Sequence, residues 1–244
     1  MTKLKGGIII IGSLLWDTSK TRVSWRNKSL MPLDRGIDVH MPIRYGRISK
    51  TRNYTYSMVF SNDCEKSHKQ GNAKFIEFNN NPVTLDELWT QCTELIKAET
   101  NKEMLSFSTF NWKWGALGLC INPKTEIDKK EVVHRLKESW KNKYGIKKPL
   151  IPIDYEVNNE GLIINDSGIL NIQWAKELEK YDFFIATATK PEQSIYPNPY
   201  KIAEKMILNE DDSYFRHNQL NNIITFQDED IITELKKIDD NWTI

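Results

Sequence analysis

The first strong pattern along the chain is Gly7-Ile8-Ile9-Ile10-Ile11, a continuous apolar run that breaks at Gly12-Ser13. An unbroken β-branched run predicts a strand covered on both faces that delivers a tight turn. Residues Tyr54 to Phe60 alternate, with Tyr54, Tyr56, Met58 and Phe60 on one face and Thr55, Ser57 and Val59 on the other. That two-residue period predicts a second strand. Ala73 to Phe78 and Gly115 to Ile121 read as two more, the small residues Gly115, Ala116 and Gly118 marking close packing or a bend.

Helical spacing is clearest over Thr84 to Glu99. Thr84 with Glu87 forms a capping-box pattern, and Leu85, Leu88, Cys92, Leu95 and Ile96 make an apolar stripe. A second helix is predicted from Asp128 to Tyr144, with Asp128 and Glu131 at its start, Gly145 at its exit and a stripe of Val132, Val133, Leu136 and Trp140. After Pro149 the pattern changes. Pro152, Gly161 and Gly168 punctuate the chain, followed by a strand from Asp182 to Thr189 and the loop Tyr196-Pro197-Asn198-Pro199-Tyr200. Short helices are predicted near Lys201 to Leu208 and Glu229 to Ile238. The expected class is α+β: a small mixed β-barrel flanked by helices in residues 1–149, with residues 150–244 as a C-terminal extension packed on that core.

Composition narrows the function. Across 244 residues, 34 Lys+Arg against 33 Asp+Glu leave a formal net charge of +1. No global field draws the chain to nucleic acid or an anionic membrane, so any polyanion site is local. Cys64, Cys92 and Cys120 are odd in number and lack paired spacing, which suits a reducing, cytoplasmic setting. Lys3 and Lys5 ahead of the apolar run resemble a short signal peptide, but Asp17 ends the run and no small-residue cleavage site follows, so the segment reads as a buried strand. No stretch reaches the roughly 20 apolar residues needed to span a bilayer.

Candidate chemistry concentrates at three places. Gly12-Ser13 after a buried strand lets successive backbone N–H groups face a carboxylate or phosphate. Counting about 100° per residue, Glu99 lies about 20° from Cys92 around its helix and so falls on the apolar stripe. Burial and the negative end of the helix dipole both disfavour its anion and raise its pKa, as a proton shuttle requires. The segment Arg44-Tyr45-Gly46-Arg47, followed by Lys50 and Arg52, supplies guanidinium forks for an anionic ligand, or else a solvated basic loop. His40, His68, His134 and His217 lack metal-ligand spacing, so no metal is expected.

The strand running into Gly12-Ser13-Leu14, the basic segment and the later Glu together resemble the gamma-glutamyl cyclotransferase-like family over residues 7–123. The resemblance implies that the amides of Gly12, Ser13 and Leu14, extended by Leu15, hold a small anionic substrate and that Glu99 serves as general acid and base. It implies an intramolecular reaction in which a γ-glutamyl amine or peptide cyclises and releases 5-oxoproline, with no metal or organic cofactor required. The chain carries Ile11 where members usually have Tyr, and Thr100 where a Gly commonly follows the catalytic Glu. Glu77, Glu87, Glu94 and Glu103 remain alternative counterparts of that Glu. On the residues alone, the other open reading is a non-catalytic module in which the same turn, with Arg44, Tyr45 and Arg47, binds an anionic metabolite or nucleotide.

Overall fold

The computed structural model describes residues 3–100, 115–144, 163–165, 167–189 and 197–244. The first part of the chain runs β1 (Gly6–Ile10), α1 (Lys20–Ser29), β2 (Ile37–Met41), β3 (Ile43–Ser49), β4 (Thr55–Phe60), α2 (Asn62–Lys66), β5 (Gly71–Glu77) and α3 (Leu85–Thr100). Then come β6 (Gly115–Ile121), α4 (Pro123–Asp128), α5 (Lys130–Tyr144), β7 (Phe183–Thr189), α6 (Pro199–Leu208), α7 (Ser213–Leu220) and α8 (Asp228–Ile238). No helix among the described residues is long and apolar enough to cross a membrane.

Five strands form one mixed sheet in the order β2-β5-β1-β7-β6, and β3 with β4 forms a separate two-stranded ribbon. The α+β class holds. A closed barrel does not form among the described residues, because β2 and β6 end the sheet on opposite sides without meeting. The isoleucine run sits near the middle, antiparallel to β5 and parallel to β7. All five β1 residues are buried, the outcome expected of a strand with no polar alternation.

The segment after residue 149 is woven into this sheet. Strand β7 lies between β1 and β6, and Phe183, Phe184, Ile185 and Ala186 are completely buried there. Among the described strands, β6 pairs only with β7. The extension therefore contributes a central strand as well as surface helices.

Local signals explain most element ends. The Thr84–Glu87 capping box forms, with Thr84 N–H donating to Glu87 Oε2 at 2.7 Å and Glu87 N–H donating to Thr84 Oγ1 at 3.3 Å. The expected Asp128 cap does not. Asp128 closes the short α4, whose own cap is Asn122, and α5 starts at Lys130. Asn198 caps α6 with Pro199 in its first turn, two residues ahead of the sequence expectation. Tyr54 also departs from the alternation: with Asn53 it adopts a left-handed turn (φ 62° and 46°), and β4 begins only at Thr55. Tyr196 and Gly145 lie outside the described residues.

Candidate functional site

The chain leaving β1 makes a compact turn, closed by Leu15 N–H to Gly12 O at 3.0 Å and Asp17 N–H to Ser13 O at 2.9 Å. Among the described residues, the Ser13 and Leu14 amides donate to no other group, so the two N–H groups remain available to an acceptor. Gly12 is required for a different reason from the one the sequence suggests. A Cβ there would sit 2.4 Å from the Tyr214 hydroxyl, so what approaches Gly12 is a phenol from α7. That hydroxyl donates to Ile11 O at 3.4 Å and accepts from Met58 N–H at 3.3 Å, tying α7 to both β1 and β4.

Two arginines one helical turn apart on α1 organise the turn from below, their i and i+4 spacing placing both on one face. Arg26, buried, donates to Leu14 O and Asp17 O, both at 2.8 Å. Arg22 donates to Ser13 Oγ at 2.8 Å, to Asp17 Oδ2 at 2.9 Å and to Ala98 O at 3.2 Å. Burial works to raise the Asp17 pKa, but the Ser19 hydrogen bonds and the charges of Arg22 and Arg26 outweigh it and hold the carboxyl below its usual range.

Glu99 reaches the same place from the last turn of α3. Its carboxylate is only 10% exposed and lies 3.7 Å from the Arg22 guanidinium. Burial pushes its pKa up; Arg22, Thr187, Arg52 and Arg47 pull the other way without cancelling the rise. Thr187 Oγ1 is near enough to ease the ionisation, yet it makes no hydrogen bond of normal geometry, and Thr189 Oγ1 is likewise buried without a partner. Gly12, Ser13, Leu14, Arg22, Glu99 and Tyr214 all line one pocket of about 570 Å³. The alternative carboxylates are occupied elsewhere. Glu87 caps its helix, Glu94 pairs with Lys28 and Lys97, and Glu77 accepts from the Tyr181 hydroxyl. Glu103 lies outside the described residues.

The basic segment is divided by its own geometry. It forms β3 rather than a loop, with a register shift against β4 between Tyr45 and Arg47. The extra residue, Gly46, turns Arg47 away from the face it would share with Tyr45 and onto that of Ser57. Arg47 and Ser57 accordingly line the pocket, joined by Lys50 and Arg52 from the turn that follows. Arg44 and Tyr45 do not line it. Arg44 is buried, donating to Ser61 Oγ and Tyr45 O, while Tyr45 is fully enclosed against Phe215. Leu15, too, packs into the core rather than the pocket.

Arg22, Thr187, Thr189 and Tyr214 belong to the pocket without having been singled out from sequence. The Arg22 and Arg26 spacing was the one local signal available, and α1 lacks the apolar stripe that would have marked it as a helix. Compared with protein-family models, curated proteins and solved structures, the chain matches none, so the reading of this pocket rests on its geometry and chemistry.

Proposed function

We propose that the pocket is the active site of a gamma-glutamyl cyclotransferase-like enzyme, with Glu99 as general acid and base. What supports the reading is one relationship: a buried carboxyl whose pKa is pushed up by burial and the amides after β1 line the same cavity. In the reaction, the substrate's α-ammonium gives a proton to Glu99, and the freed amine attacks its own γ-glutamyl carbonyl. Glu99 then returns the proton to the departing nitrogen as the C–N bond breaks, and the second proton of the ring nitrogen passes to the released amine, leaving 5-oxoproline and an ammonium product. A base whose proton affinity lies above that of an ordinary carboxylate suits both transfers. Because nucleophile and carbonyl belong to one molecule, the protein chiefly folds the substrate and excludes water.

The test is 5-oxoproline release from a panel of γ-glutamyl amines and peptides. Glu99→Gln is expected to abolish release while ligand affinity stays within about a few fold, the pattern of an interaction made only in the transition state. Release that survives the substitution refutes the role of Glu99. A second reading, a non-catalytic module for an anionic metabolite or nucleotide, is favoured by the excess of Arg and Lys over carboxylates among the described residues of the pocket wall. It predicts saturable binding with no product from any member of the panel.

A further inference from the structure

Hydrogen-bond capacity in the pocket is unbalanced. Arg22 and Arg52 both donate to Ser13 Oγ, at 2.8 and 2.5 Å. A hydroxyl oxygen has two acceptor positions, and these two guanidinium groups fill them, leaving the Ser13 hydrogen to donate. Ser13 is 5% exposed, and its hydroxyl donates to nothing among the described residues. Among the described residues, Thr189 Oγ1 on β7 is a further buried hydroxyl without a hydrogen bond, and Thr187 Oγ1, beside Glu99, makes none of normal geometry.

Charge is unbalanced in the same direction. Among the described residues, Arg22, Arg47, Lys50 and Arg52 line the pocket together with one carboxylate, Glu99. Asp17 answers Arg22 at 2.9 Å. Arg52 is held by neutral groups: the Ser13 and Ser49 hydroxyls and the face of Tyr214, 4.3 Å from the ring centroid. No carboxylate among the described residues lies within ion-pair distance of it. Burial disfavours its charge and Arg22 and Arg47 add repulsion, which Tyr214 and Glu99 offset only in part, yet a guanidinium stays protonated at any working pH. Holding like charges together in a half-closed pocket is costly unless an anion enters it.

We propose that this pocket recognises a phosphate monoester, seated against Ser13 between the guanidinium groups of Arg22, Arg47 and Arg52. A carboxylate brings one charge and two oxygens. A phosphate monoester brings nearly two charges and three strongly accepting oxygens, which matches both the surplus charge and the waiting donors. This site stands independently of turnover by Glu99, and a γ-glutamyl substrate carrying phosphate on its departing portion satisfies both readings.

Calorimetric titration of the intact protein with phenyl phosphate, benzoate and inorganic phosphate, at an ionic strength of about 0.15 M, tests it. Phenyl phosphate is expected to saturate one site per chain at least about tenfold more tightly than benzoate, which has the same ring and half the charge. Arg52→Met is expected to weaken phenyl phosphate about tenfold or more, with a thermal melt showing that the variant is folded. Should that variant not fold, Ser13→Ala, which deletes the waiting hydroxyl, is expected to weaken it several-fold. Equal affinity for benzoate, no saturable binding, or unchanged affinity in the folded variant overturns the proposal. Inorganic phosphate binding as tightly as phenyl phosphate also overturns it, by showing a site for the free ion. None of these readouts uses 5-oxoproline, so failure here leaves the cyclisation reading to its own assay.

Discussion

The Arg22 guanidinium lies 3.7 Å from the Glu99 carboxylate while holding Ser13 Oγ at 2.8 Å, so a single side chain couples the end of α3 to the turn after β1. Arg22 favours the ionised form of Glu99, and burial opposes it more strongly. Arg22→Met therefore lifts the Glu99 pKa further. A carbon-detected NMR titration of the Glu99 carboxyl reads the shift directly, and a downward shift contradicts the proposed balance.

Folded protein holds the Glu99 proton more tightly than unfolded chain, so this residue's stability contribution is fully present below the ordinary value of 4.5 and is lost as pH rises through the higher folded value. Glu99→Gln removes that loss. Its melting temperature should exceed that of the wild type near pH 7 and match it near pH 4. A difference that grows toward acid pH has the wrong sign and rejects the assignment.

Gly12 and Tyr214 form a steric pair. Gly12→Ala sets a methyl group 2.4 Å from the phenol oxygen and about 3.2 Å from the ring, and should destabilise the fold by about 1–3 kcal/mol. Combining it with Tyr214→Phe relieves the closest contact, so the double variant should lose less than the sum of the single losses in urea denaturation. Strict additivity means the two positions do not meet.

Arg26 is the support beneath the turn. Arg26→Met leaves Leu14 O and Asp17 O without their charged donor and should cost about 2–3 kcal/mol, read as a lower urea midpoint with an unchanged slope. Ligand binding should weaken with it. A variant as stable as the wild type shows that the turn holds its shape unaided.

Truncation after Pro149 removes β7 from between β1 and β6. The shortened chain exposes two strand edges and the apolar faces packed on Phe183 to Ala186, and is expected to be insoluble or to lack cooperative unfolding. A soluble, cooperatively melting product shows that residues 1–149 fold independently.

Much of this arrangement was written in local pattern. The isoleucine run needed no partner to be identified as a strand buried on both faces, because charge or alternation at any of its positions would have left a polar face. Thr84 and Glu87 announced the start of α3, and the 3.6-residue period placed Glu99 on its inward side, since both depend on neighbours within a few residues. What lay beyond local reach was every relationship that crosses the sheet. That β7 inserts beside β1 follows from strand pairing between residues far apart in sequence. That Arg47 shares the face of Ser57 rather than that of Tyr45 follows from a bulge at Gly46, visible only against the register of β4. Helix α1 presents an almost wholly polar sequence, so no stripe revealed that Arg22 and Arg26 turn inward. Periodicity reports which way a side chain faces relative to its own element; only the packed structure decides which other residues it meets.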